Sequence, residues 1–178
     1  IWRQFGQPSL RLVDYLHRAG IKDEDMEVLV ATGTHREATP EDIKRLLGEE
    51  LAARLAVTSN RAAVAGDFVD LGTTSRGTPV KVNRRAVAAD HVILTGGIGF
   101  HFLAGFSGGR KSVVPGIAAR ETVQANHSLV LDAGDRVRQG LMEGNPIAED
   151  MEEAAALLQP RFLLNVVLND QGEPAGVF

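Results

Sequence analysis

The chain has 178 residues, 44% hydrophobic and 24% charged, with a formal net charge of -4 and no cysteine. That is the make-up of a globular protein long enough for one core, and it excludes disulfides, thiolate metal sites and cysteine nucleophiles. The net charge gives no overall attraction to nucleic acid or an anionic membrane, and no apolar run approaches the roughly 18 residues of a membrane span, so any anion site must be built locally.

In chain order, Leu10, Val13 and Leu16 followed by Gly20 predict a helix over residues 9–19, closed by its glycine. MEVLVA (26–31) reads as a buried strand that ends at Thr32-Gly33-Thr34-His35-Arg36. Thr39 then supplies an N-cap, Pro40 a first helical residue, and Glu41 and Asp42 acids against the positive end of the dipole. This helix should run to about Leu47, with a second to Leu55. Residues 68–71 and 80–82 read as short strands around a turn, residues 84–89 as a short helix, and HVILT (91–95) as a buried strand. Residues 117–130 are expected to be helical, Asn145-Pro146 to cap a helix over 147–158, and FLLNVVL (162–168) to form a last strand before a turn at 169–172.

This alternation predicts an α/β fold: a Rossmann-like, mostly parallel sheet flanked by helices, in a single domain. Open sheets of that kind place ligands beyond the carboxyl ends of their strands. His35 lies just past one predicted strand and His101 a few residues past another, so both are expected to face one crevice. His127 falls toward the end of the next helix. His17 and His91 lack such a context and read as structural.

Between strand and helix lies HFLAGFSGGRKSVVPG (101–116), in which histidine, four glycines, serine, arginine and lysine stand together. Glycines let backbone N–H groups close on a ligand, and successive amides form an anion-binding concavity. A phosphate or carboxylate is the natural guest. A tight surface loop whose aromatics plug the core explains the same residues, and that alternative stays open at this point. A phosphate-binding NTPase loop is a disfavoured alternative: Arg110 stands where Gly-x-x-x-x-Gly-Lys-Ser needs its last glycine, and Pro115 interrupts the helix that should follow.

Together with ATGTHR (31–36) and QANHS (124–128), this loop closely resembles the nickel-dependent lactate racemases, a family that includes other 2-hydroxyacid racemases and epimerases. The resemblance extends through GTTSRGTPVKVN (72–83) and GNPIAEDMEEAA (144–155). It implies a nickel-pincer nucleotide, a pyridinium mononucleotide whose carbon and two sulfurs hold nickel. Lys111 matches the lysine that carries the cofactor through a thioamide, with Ser107, Gly108, Gly109 and Arg110 cradling its phosphate. His127 matches the histidine that completes the nickel coordination, and His35 and His101 match the general acid and base. Hydride transfer to the cofactor would give a planar 2-keto acid, whose return from the opposite face inverts the centre.

The resemblance also implies a small-molecule 2-hydroxyacid substrate, cofactor-assembly enzymes as partners, and a cytoplasmic setting, which the lack of cysteine fits. An Asp-x-Thr-Arg-type motif should precede the first helix, and the chain starts at Ile1-Trp2-Arg3, about where it would finish. With a C-terminal domain also expected beyond Phe178, the chain reads as an excised piece, inactive alone. Gly97-Ile98-Gly99-Phe100 replaces a more polar segment, which leaves the identity of the hydroxyacid, or even a polyol, open. A non-catalytic nucleotide-binding module and a tri-histidine zinc hydrolase are the remaining alternatives.

Overall fold

The computed structural model describes residues 6–169 and 174–177, so Ile1 to Arg3 and most of the turn expected at 169–172 lie outside the described residues. In the first half, α1 (Gly6–Arg18), β1 (Glu27–Val30), α2 (Pro40–Leu47), α3 (Glu49–Arg54) and β2 (Ala56–Ser59) follow one another. β1 and β2 pair in parallel, from Glu27 opposite Ala56 to Val30 opposite Ser59. Leu10 and Val13, three residues apart on one face of α1, pack with Leu47, Leu51 and Leu55 into a small core. α2 starts as its sequence dictates: Thr39 Oγ1 accepts from the Asp42 amide at 3.2 Å, and Asp42 Oδ2 accepts from the Thr39 amide at 3.0 Å. β2 is an element that the sequence did not announce. Four residues with two hydroxyls give too weak an alternation to stand out.

The second half opens with an antiparallel hairpin, β3 (Phe68–Thr73) against β4 (Pro79–Asn83), then the short α4 (Arg84–Ala88). β5 (Ile93–Ile98) leads into a tight ribbon of β6 (Phe100–His101) and β7 (Gly105–Phe106). α5 (Arg120–Ser128), α6 (Pro146–Leu158), β8 (Phe162–Leu168) and β9 (Pro174–Val177) complete the order. β5 pairs in parallel with β8, and β9 adds antiparallel to the other side of β8. Val80, Val82, Leu94, Val113, Val114, Ile147 and Met151 form the larger core. Inside it Asp150 accepts from Thr74 Oγ1, Thr78 Oγ1 and Asn126 Nδ2, which fixes α6 and α5 against the turn of the β3–β4 hairpin.

The α/β class is as expected, with a finer difference in the sheet. Among the described residues, parallel pairing is confined to β1–β2 and β5–β8, which are not hydrogen-bonded to each other. Extended chain and one buried side chain instead link β1–β2 to β4. Residues 117–119, expected to be helical, pair with β4: the Asn83 amide donates to Ile117 O and the Ala119 amide to Lys81 O, both at 2.9 Å. These three residues are buried, and α5 begins only at Arg120. Asn60, fully buried after β2, donates to Ala118 O at 3.1 Å, accepts from Asn83 Nδ2 at 3.0 Å and receives Thr32 Oγ1 on its own carbonyl at 2.7 Å.

Candidate active site

The glycine-rich segment is built from within. Gly105 turns left-handed (φ 71°) where a Cβ would lie 2.1 Å from the Leu141 carbonyl oxygen, so no other residue fits. Asn145, fully buried, caps α6 with its Oδ1 and donates through Nδ2 to Leu103 O at 2.8 Å and Leu141 O at 3.1 Å. Ser107 Oγ donates to the carbonyls of Gly97 and Gly99, tying the loop to the end of β5. Gly108 (φ 84°) leaves room for Asn165 of β8, whose Oδ1 accepts from the Gly109 amide at 3.1 Å. Arg110 donates to Ala148 O and Ala104 O and touches Met142 Sδ, its guanidinium almost covered, with Glu152 at 3.6 Å. The chain then makes a single 3-10 turn, Gly109–Ser112, rather than an α-helix. The helix dipole of a true P-loop is therefore lacking, which counts against the NTPase alternative.

Out of this scaffold one basic cluster emerges. Lys111 Nζ lies 3.1 Å from His101 Nε2. His101 Nδ1 accepts from the amides of Leu103 and Ala104 at 3.2 and 3.1 Å, and its ring stacks on Phe102 at 4.9 Å. Burial, then the charges of Lys111, His127 and Arg110, push the His101 pKa down to about 4. Burial and Arg110 lower Lys111 to about 8. His127, on α5, is lowered by burial and by Lys111. Its Nδ1 is buried without a hydrogen bond among the described residues, although the Val123 carbonyl one turn earlier favours a proton on the ring. Lys111 lowers both histidines and His127 lowers His101, which places the three in one electrostatic neighbourhood. Burial raises the cost of every positive charge there, so an anion entering the cluster is favoured.

His35 stands differently. Its ring is exposed and makes no hydrogen bond or ion pair among the described residues. Its loop is nevertheless fixed: the His35 amide donates to Thr32 O, the Gly33 amide donates to Gly116 O at 2.8 Å, and Arg36 pairs with Asp42. The loop carrying His35 therefore abuts the segment that follows Lys111. His17 pairs with Asp23 at 2.8 Å, consistent with a structural role. Among the described residues no three His, Asp or Glu side chains could share a metal ion, which leaves the tri-histidine zinc hydrolase without a ligand set.

Asn165 and Asn60 are the residues that sequence reasoning missed. A lone amide in the apolar strand FLLNVVL was a usable signal for Asn165, because a polar side chain on a buried strand needs a partner. Asn60, in a short polar stretch, gave none.

A family model described as the lactate racemase N-terminal domain matches residues 9–138. The chain is 36% identical over 157 residues to a lactate racemase of Thermoanaerobacterium thermosaccharolyticum and 37% identical over 161 residues to that of Lactiplantibacillus plantarum. Those stretches are 88% and 90% of this chain but 37% and 38% of the relatives, so the chain spans well under half their length. Among solved structures it resembles the lactate racemase apoprotein from Thermoanaerobacterium thermosaccharolyticum, with a TM-score of 0.87 at 34% identity over 96% of this chain and 41% of that one. A protein from Thermotoga maritima superimposes with a TM-score of 0.80 at 25% identity, over 96% of this chain and 45% of that one. The chain belongs to the lactate racemase family.

Proposed function

We propose that the chain is the cofactor-bearing part of a cytoplasmic, nickel-dependent racemase or epimerase of a 2-hydroxyacid such as lactate. The observation that carries this is the convergence of Lys111, His101 and His127 in one half-buried basic cluster.

Those residues fit a nickel-pincer nucleotide. Lys111, with its basicity lowered, is an amine suited to a thioamide link. His127 would hold nickel: its buried imidazole, with Nδ1 unpartnered among the described residues, is a good ligand for that metal. Arg110 is too firmly bonded to reach out, so it serves the phosphate as a fixed positive charge, while Ser107, Gly108 and Gly109 hold the loop to its shape. When bound, the cofactor supplies a hydride acceptor. The chain's own part is the proton: His35 or His101 takes it from the substrate hydroxyl as the α-carbon becomes planar, and restores it when the opposite face is refilled. The exposed Phe100 and Phe102 flank His101 and offer an apolar wall there.

The test is to mature the full-length protein with the cofactor-assembly enzymes, weigh it intact, measure nickel and assay both enantiomers of lactate and related hydroxyacids. The expected result is one adduct on Lys111, one nickel and interconversion of enantiomers. Lys111→Ala should lose the adduct, whereas His35→Ala and His101→Ala should keep it and lose turnover. An adduct with no turnover of any chiral hydroxyacid would point to the non-catalytic nucleotide-binding module, and an unmodified Lys111 would sink the proposal.

A further inference from the structure

His101 has two jobs that need opposite tautomers, and the geometry shows which one it is set for. Backbone amides can only donate, so the Leu103 and Ala104 N–H groups require a lone pair on Nδ1. A neutral ring then carries its proton on Nε2, the atom 3.1 Å from Lys111 Nζ. An ammonium at Lys111 would bring donor against donor; an unprotonated amine would accept the Nε2 proton. The alternative, an ammonium donating to a bare Nε2, would place a proton on Nδ1 against two amide hydrogens.

We infer that His101, locked by two backbone amides with its proton on Nε2, holds Lys111 as a free amine ready to be acylated, and so acts as a positioning residue in cofactor attachment before it acts on substrate. The inference rests on the proposed function only for the identity of the group that Lys111 accepts. In the attachment step the Nζ lone pair forms a bond to the carbon of an activated acyl or thioacyl donor. The bond from that carbon to its leaving group breaks with its electron pair, and the proton lost by the amine goes to that leaving group. The acylated nitrogen has no lone pair left to accept from Nε2. His101 is then released from this pairing, and its Nε2 becomes a base once the proton moves to Nδ1 and the two amide bonds open.

The charged and titratable groups around Lys111 agree. Arg110 lies beside it on the same turn and His127 approaches from α5, both opposing an ammonium, and Glu152 faces Arg110. With Lys111 at about 8, roughly 300-fold more of it is amine at neutral pH than of an ordinary lysine.

The experiment uses the purified, cofactor-free protein. Nitrogen NMR of the His101 ring should show an unprotonated Nδ1 and a protonated Nε2; a protonated Nδ1 would overturn the inference. In parallel, acetylation by an N-hydroxysuccinimide ester is followed at each lysine by peptide mass spectrometry as a function of pH. Each lysine is normalised to its own plateau so that access cancels. Lys111 should titrate near 8 and Lys81, whose ammonium Glu121 favours, well above it. In His101→Ala, checked for folding by its melting curve, the Lys111 midpoint should rise by about one unit, a tenfold loss of amine at pH 7 that slows attachment without abolishing it. An unmoved midpoint would assign the lowered basicity to burial and Arg110 alone and remove His101 from the step. The probe is not the cofactor, so a reactive Lys111 that never accepts the nucleotide would defeat the racemase proposal and leave this one standing.

Discussion

The two histidines proposed for proton transfer sit in opposite surroundings. His101 is half-buried, with both ring nitrogens engaged, an aromatic ring against one face and cations around it. His35 is exposed, with no side-chain partner among the described residues, and is placed by its backbone alone. One site is set by chemistry around the ring, the other by the anchoring of a loop. Changes near His101 should therefore alter reactivity and fold together, whereas His35 should respond to changes in the residues that hold its loop.

The largest expected effect is on the His101 side. In Gly105→Ala the new methyl would occupy the position of the Leu141 carbonyl oxygen, at a residue already in the left-handed region. Overpacking and backbone strain together put the loss at about 3–5 kcal/mol. Urea unfolding should show it as a lower midpoint with an unchanged slope, and a near-neutral result would mean that the ribbon carrying His101 is not held as described.

The His35 side has its own weak point, in Asn60. Asn60→Ala strips partners from the buried Ala118 carbonyl and the Asn83 side-chain Nδ2, at a cost of about 2–4 kcal/mol. Because the same residue ties the loop after β1 to the 117–119 segment and to β4, hydrogen exchange should speed up in residues 31–36 and 117–119 together. Loosening of only one segment would refute the idea of a shared anchor.

Those two predictions mark what the sequence could and could not tell. The glycine-rich segment was legible because it combines residue types that no core requires, and α2 and α6 were legible because Thr39 and Asn145 are strong caps. The division of the sheet was not. An apolar strand looks the same whether its neighbour is parallel, antiparallel or a stretch of extended chain, and residues 117–119 carry an apolar run that suits either a helix or a bridge. The convergence of Lys111, His101 and His127 came through motif resemblance rather than spacing. Nothing local could show that Ser107 and Arg110, which look like anion ligands, turn inward, because their partners Gly97, Ala104 and Ala148 are backbone carbonyls that any residue provides.

A pH series separates the two histidines more gently. The folded-state pKa of His101, about 4, lies below the ordinary 6.5. Between those values the unfolded chain binds a proton that the folded chain does not, so this contribution is complete above pH 6.5 and is lost as pH falls toward 4. In His101→Phe, which keeps an aromatic ring without titrating, the decline of melting temperature over that window should be shallower than in the parent. Equal slopes would show that carboxylates alone govern the acid limb.

The smallest effect belongs to the surface of the His35 loop. Arg36 is largely exposed while Asp42 is nearly covered, and the guanidinium, with help from Thr39, holds the Asp42 carboxyl down at about 2. Asp42 also caps α2 through the Thr39 amide, and that bond survives the loss of Arg36. Arg36→Met should therefore lower the melting temperature only slightly, and by less as salt is added, since an exposed ion pair is screened. In the matured enzyme the same variant should impair turnover more than stability, because it frees the residue next to His35. If instead it costs as much stability as Asn60→Ala, the loop is held from its surface rather than from its buried end, and the contrast between the two histidines is wrongly drawn.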